Sequence, residues 1–155
     1  MQSSPNTPAT PSKFKLIVAT DFSECSAIAL EEALTLAVLR APSELVLLHV
    51  LDTAAGTALD AMAESEKVAS GLLAEVEKIR PASELPATVK LHCHVVRGAP
   101  AQCVVDEASA HHCDLIVVGT HGRTGLGRLV LGSVAETIVR LAPCSVLTVK
   151  KRKST

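Results

Sequence analysis

Short apolar runs alternate with segments of helical spacing along the whole chain. Phe14 to Thr20 (FKLIVAT) and Glu44 to Val50 (ELVLLHV) are continuous apolar stretches of strand length. Asp114 to Gly119 (DLIVVG) and Ser145 to Val149 (SVLTV) read the same way. Such runs, without polar alternation, are the pattern of strands buried on both faces. Thr88 to Val96 differs: Val89, Leu91, Cys93 and Val95 alternate with polar residues, which predicts a strand with one less-buried face, as at a sheet edge.

The intervening segments carry helical periodicity. One helix is expected from Ser23, a good N-cap, to about Arg40, with Ile28, Leu30, Ala33, Leu34, Ala37 and Val38 on its apolar face. A second spans Ala58 to Ile79, with Leu59, Met62, Val68, Leu72, Leu73 and Val76 as expected core positions. Arg80-Pro81 stops it, because proline disfavours helical backbone in the residue before it. Pro100 suits a first helical position, and Ala101, Val104, Val105 and Ala108 recur at i, i+3, i+4, i+7, giving a helix to about His112. The last runs from Ser133 to Leu141 with Val134, Ile138 and Leu141 inward, and Pro143 ends it. The order βαβαβαβαβ predicts an α/β fold: a single doubly wound parallel sheet with helices on both faces. At 155 residues the chain suits one domain, expected over 13–150. Residues 1–12, polar and with three prolines, are expected to be a disordered tail, and 151–155 a basic C-terminal tail.

The densest chemistry follows the fourth apolar run, in VVG119-TH-G122-RTGLGRLVL-G132-S133-V. Ligands of open α/β sheets bind beyond the carboxyl ends of strands, where the strand order switches. A glycine-rich loop between a strand and a helix N-terminus can cradle phosphate with main-chain N–H groups. On that reading Gly119 and Gly122 let the backbone approach, Gly132 and Ser133 offer free N–H groups, and His121 lies near phosphate; Arg123 and Arg128, the cations of the loop, either touch a terminal phosphate or are solvated loop charges. The alternative is a plain connection in which Ser133 N-caps the helix. Asp21, after the first strand, would face this loop if strands one and four are neighbours. It could bind a sugar hydroxyl or base amine, or simply cap the first helix. The loop lacks the lysine of G-x-x-x-x-G-K-[ST] and is not a G-x-G-x-x-G after strand one.

Composition narrows the partners. A net charge of −1, no Trp or Tyr and two Phe argue against a nucleic-acid site, which needs positive field or stacking aromatics. No apolar run approaches the roughly 20 residues that cross a bilayer. Cys25, Cys93, Cys103, Cys113 and Cys144 are odd in number and form no C-x-x-C pair, which fits free thiols in a reducing cytoplasm. They read as small buried residues, with a thiol switch as the alternative. His92 and His94 flank Cys93 on one strand face, but no second ligand pair follows at metal-site spacing, so no metal site is expected there. His111-His112 close a helix, where a cation offsets the dipole. No G-x-S-x-G elbow, phosphate-cradling lysine or carboxylate pair marks a catalytic centre, and no catalytic residue is assigned.

The spacing G119-x2-G122-x9-G132-S133, with T20-D21-F-S after strand one and L-L-H-V50 closing strand two, resembles the universal stress protein family in its ATP-binding branch. The resemblance covers Phe14 to Lys150. It implies a five-stranded sheet of order 3-2-1-4-5 and a homodimer built on strand five, here Val146, Leu147 and Val149. It implies ATP between the ends of strands one and four, with Mg²⁺ on the phosphates. By position, Ala19, Thr20 and Asp21 would meet the adenosine part, and Val50 main chain would read the adenine edge. Val118, Gly119, His121, Gly122, Arg123, Gly132, Ser133 and Val134 would surround ribose and phosphates. Ala19 stands where some members carry proline. The function implied is a nucleotide-dependent stress-response module acting on a protein partner the sequence does not name. The alternatives are slow ATP hydrolysis or phosphoryl or adenylyl transfer, and a nucleotide-free scaffold or chaperone-like dimer.

Overall fold

The computed structural model describes residues 12–51, 57–121 and 131–151. Gly122, Arg123, Arg128 and nearly all of both expected tails lie outside them. The elements follow the anticipated order: β1 (Phe14–Ala19), α1 (Glu24–Leu39), β2 (Ser43–Leu51), α2 (Ala58–Ile79), a short 3-10 turn (Ala82–Glu84), β3 (Val89–Arg97), α3 (Pro100–Ala110), β4 (Leu115–Gly119), α4 (Ser133–Leu141) and β5 (Ser145–Val149). The five strands form one parallel sheet of order β3-β2-β1-β4-β5. β3 is an edge, as its alternation requires. β1 lies at the centre, its ladder ending where Ala19 pairs with Leu48 on one side and Val118 on the other.

Successive strand side chains point to opposite faces, and this sorts the apolar runs into two cores. Leu16 and Val18 of β1, with Leu45 and Leu47 of β2, pack under Leu30 and Leu34 of α1 and Leu72 and Val76 of α2. Ile17, Val46, Leu48, Ile116 and Val118 face the other way, against Val104 and Ala108 of α3 and Ala135 and Ile138 of α4. The helices therefore cover both faces in pairs.

Local chemistry explains where the helices begin. The Ser23 hydroxyl accepts the Ser26 N–H at 3.2 Å and caps α1. Thr57 and Asp60 form a reciprocal capping box on α2, each main-chain N–H bound by the other's side chain. Pro100 opens α3. α4 differs: its N-cap is Gly132, not Ser133, and among the described residues no side chain caps it.

Two expected core faces need correction. In α2, Leu72 and Val76 are buried, but Leu59, Met62 and Leu73 are 76%, 70% and 55% exposed. At about 100° per residue, Leu73 points well away from the stripe that Val68, Leu72 and Val76 share. In α4, Ile138 is buried, whereas Val134 and Leu141, in its first and last turns, are 39% and 51% exposed. Ala135, one turn before Ile138, completes the inward face instead. In β5, Val149 is buried within the chain's own core, and Val146 and Leu147 are half-buried.

Candidate functional site

A cavity of about 300 Å³ opens beyond the carboxyl ends of β1 and β4. That is the point at which the chain leaves β1 for a helix on one face of the sheet and leaves β4 for a helix on the other. Ala19, Thr20, Asp21, Val50, Val118, Gly119, His121, Gly132, Ser133 and Val134 all line it. Ten of the twelve residues singled out in the sequence thus share one cavity, and the other two, Gly122 and Arg123, fall outside the described residues.

Hydrogen bonds hold the β1–α1 turn. Asp21 Oδ1 accepts the Ser23 N–H at 3.0 Å, so this carboxylate shapes the turn while facing the cavity. The Phe22 N–H donates to Thr20 Oγ1 at 3.2 Å, and Thr20 Oγ1 meets Ser26 Oγ at 3.1 Å inside the protein. Phe22 has φ 62°, a left-handed conformation that costs a non-glycine residue about 1 kcal/mol. The buried His49 braces it. Its Nδ1–H donates to the Thr20 carbonyl at 2.8 Å, and its ring packs on Phe22 with centroids 5.0 Å apart. His49 stands in the L-L-H-V50 sequence, but nothing in a linear reading points it at this turn.

The wall formed by β2 is main chain. Leu48 O accepts the Thr20 N–H, so Leu48, and Val50 two residues on, direct their main-chain groups to the β1 side. The β1 ladder ends at Leu48. Val50 therefore presents its N–H and C=O beyond the ladder, at the cavity.

The wall formed by β4 and α4 revises the roles expected for two glycines. A Cβ on Gly119 would lie 3.0 Å from the Cys25 carbonyl carbon and oxygen, so glycine lets α1 pack against the end of β4. A Cβ on Gly132 would lie 3.0 Å from the Thr120 carbonyl oxygen, to which the Gly132 N–H donates at 2.8 Å. That N–H is satisfied within the protein and is not free for a ligand. The donors that α4 offers come one step later, at Ser133, Val134 and Ala135, in a first turn whose N–H groups lack helical partners.

His121 supplies the sharpest polar signal. Its Nδ1 is 3.0 Å from Thr120 Oγ1, while its Nε2 is buried and meets no hydrogen-bond partner among the described residues. Burying such an atom unsatisfied costs about 1–3 kcal/mol. Ser26, Leu48, Pro100, Val104, Thr120 and Ala135 also line the cavity. Leu48 and Thr120 lie within the motifs already noted, whereas the linear sequence gives no sign of Pro100 and Val104, which arrive only when α3 folds over the sheet.

The thiols stand apart from this chemistry. Burial pushes Cys93, Cys103 and Cys144 up, and Cys113 up to about 11, so these four are neutral thiols at neutral pH. This favours packing over a reactive switch. No helix among the described residues is long and apolar enough to cross a membrane.

The whole described body has known counterparts. A profile of the Universal stress protein family matches residues 14–150. The sequence is similar to Universal stress protein MJ0531 of Methanocaldococcus jannaschii, with 36% identity over 143 residues that cover 90% of this chain and 83% of that protein. The fold is similar to the solved structure of MJ0577, from the same organism, at 32% identity and TM-score 0.65, covering 91% of this chain and 98% of that one. It is also similar to the universal stress protein from Archaeoglobus fulgidus in complex with dAMP, at 21% identity and TM-score 0.64, covering 90% and 98%. At that identity the likeness concerns the fold.

Proposed function

The chain belongs to the universal stress protein family, and from that premise we propose that it is a nucleotide-binding regulatory module of the stress response, holding ATP in the cavity between β1 and β4. The observation that carries this reading is the meeting of three features in one cavity. They are the Asp21 carboxylate, the first turn of α4 and the buried Nε2 of His121, the last two without a side-chain cap or hydrogen-bond partner among the described residues. The dAMP complex is a property of the Archaeoglobus protein; it supports the choice of ligand class, while the geometry here supplies the argument for this chain.

The cavity is polarised along its length. Ala19, Val50, Val104 and Val118 give apolar walls for a flat base. The Val50 N–H and C=O form a donor–acceptor pair suited to the adenine edge. Asp21 accepts hydrogen bonds from the ribose hydroxyls, which are donors a carboxylate prefers. The phosphates run toward the N–H groups of Ser133 to Ala135, where the helix dipole favours negative charge. There His121 Nε2 gains a partner. Gly122 and Arg123 complete the phosphate side of this reading.

Mg²⁺ fits as an ion held chiefly by the nucleotide. It commonly keeps several waters and takes only one or two carboxylates, and Asp21 is the one carboxylate among the described lining residues. When bound, the ion would neutralise phosphate charge. The protein's own part is to orient the base and ribose and to exclude water from the apolar walls.

The active form in this reading is a cytoplasmic homodimer joined along β5. β5 is a sheet edge, and an open edge can pair with a second chain through its main chain. Because Val149 is committed to its own core, that pairing rests on the backbone with Val146 and Leu147 beside it.

Titration calorimetry with ATP and Mg²⁺ tests the site, together with chromatography of nucleotides released by heating the purified protein. The expected result is saturable binding that Asp21→Asn weakens about tenfold or more, since a hydrogen bond to a charged group contributes about 1.5–3 kcal/mol. Asparagine keeps the oxygen that accepts the Ser23 N–H, so the turn survives. No released nucleotide, and no binding heat at millimolar ATP, would reject the reading.

A further inference from the structure

The geometry points to a second site at the other end of α3: a divalent transition-metal site of the zinc class, formed by His94, Glu107 and His111. It does not depend on the nucleotide reading. Glu107 and His111 are four residues apart on α3 and so share a face. His94 comes from β3, in register with Leu48, whose side chain faces the α3 layer. The parallel sheet therefore brings a strand histidine under a helical Glu-x-x-x-His pair. Linear spacing could not reveal this, because the ligands belong to different elements.

The three donor atoms are close. His94 Nδ1 lies 2.8 Å and His111 Nε2 lies 3.4 Å from the same oxygen, Oε2 of Glu107. The two rings stand 4.9 Å apart at 59°, and all three donor atoms fall within 4.8 Å of one another. Zinc binds imidazole nitrogen at about 2.0–2.1 Å and carboxylate oxygen at about 2.0–2.2 Å, which places tetrahedral ligands about 3.3 Å apart. Small side-chain rotations bring the observed set to that spacing. The His94 ring then carries its proton on Nε2 in place of Nδ1, and the freed lone pair binds the ion.

The surroundings favour an ion with an open position. A cavity of about 150 Å³ adjoins the cluster, lined by Lys15, Glu44, His92 and Cys113 along with His94 and His111. His92, two residues back on the same strand face, or a water can supply a fourth ligand. Lys15 opposes a cation; its Nζ reaches the His111 carbonyl at 3.4 Å, and Glu44 on the same cavity wall is paired with Lys13 at 2.9 Å. Two imidazoles and one carboxylate select Zn²⁺, Ni²⁺ or Cu²⁺ over Mg²⁺ or Ca²⁺. A bound ion would pin the edge strand β3 to the end of α3, whose other end, at Pro100, lines the nucleotide cavity.

The test uses full-length protein stripped of metal and kept free of nucleotide, because ATP itself binds zinc. Zn²⁺ is titrated by calorimetry, and Co²⁺ is added separately to read the electronic absorption of its coordination sphere. The expected result is saturation at one Zn²⁺ per chain and a Co²⁺ spectrum with nitrogen ligation. Glu107→Gln and His111→Gln should each weaken binding about tenfold or more. His112→Asn, next to the cluster but outside it, should leave affinity unchanged. Circular dichroism checks folding, and His94→Gln replaces any variant that fails to fold. No zinc binding, or binding that Glu107→Gln and His111→Gln leave intact, overturns the assignment.

Discussion

Gly119→Ala separates two explanations for the glycine that ends β4. One is that a ligand needs the bare backbone; the other is that α1 does. An added Cβ would sit 3.0 Å from both the carbonyl carbon and oxygen of Cys25, and 3.1 Å from its Cβ. These are mostly main-chain atoms in the first turn of a helix anchored by Leu30 and Leu34, so they cannot rotate aside. Overpacking of this kind costs about 1–3 kcal/mol. Replacing glycine also removes freedom from the unfolded chain, which returns about 0.4–1 kcal/mol. The net expectation is a loss of about 0.5–2 kcal/mol in protein without nucleotide. For a chain of this size each kcal/mol lowers Tm by about 2–4 °C, so calorimetry should find a fall of several degrees. The denaturant midpoint should fall with m unchanged. An unchanged Tm, combined with a tenfold loss of ATP affinity, would refute the packing argument and return Gly119 to the ligand.

Two further perturbations probe the core. Leu72→Ala should cost about 2–5 kcal/mol, because Leu72 is fully buried, whereas Leu73→Ala, at a 55% exposed position, should stay within about 0.5 kcal/mol; urea denaturation of both variants fixes the register of α2. Stability should also fall in alkali through Cys113, whose thiol rises from 9.0 to about 11, chiefly through burial. Below pH 9 the thiol is neutral in both states and its contribution is full; from about pH 9 to 11 the unfolded chain ionises first, so stability drops as pH rises, by up to about 2 kcal/mol. Urea midpoints at pH 8.5 and 10.5 should show a shallower decline for Cys113→Ser, and an equal decline would remove this thiol from the account.

The sheet was legible because its strands are buried on both faces. Runs such as LIVA in β1 and LVLL in β2 have no polar interruption, and burial on two sides leaves no other composition. The helices were legible where a whole face is covered, as in α1, and less so where cover is partial. In α2 the sequence supplies leucine and methionine on several sides, and the stripe that meets the core runs through Val68, Leu72, Val76 and Ile79. The loose pattern at Leu59, Met62 and Leu73 does not choose among faces; the position of α2 against β3 and beside α1 does. The cavity divides in the same way. Asp21 and the glycines announce themselves through local spacing. Pro100 and Val104 reach it through tertiary packing, and the His94–Glu107–His111 cluster is likewise a product of topology. For the glycines, local spacing and packing point to different reasons. The loop motif suggests bare backbone for phosphate, while the structure finds Gly119 under α1 and Gly132 bonded to Thr120.

That difference bears on how the site is built. α1 packs on one face of the sheet and α4 on the other, and the cavity opens between their first turns beyond the ends of the central strands. Filling the cavity with apolar side chains would bury the N–H groups of the first turn of α4 without acceptors, since its N-cap, Gly132, has no side chain to cap them. Leaving it to water would surround Ala19, Val50, Val104 and Val118 with a solvent they repel. A ligand with a flat apolar end and an anionic end satisfies both walls at once. The close glycine contacts hold those walls at fixed separation before anything binds. On this argument Gly119 and Gly132 act on nucleotide affinity through preorganisation, and their substitution should weaken the protein and its ligand binding together, in proportion to how far α1 and Thr120 are displaced.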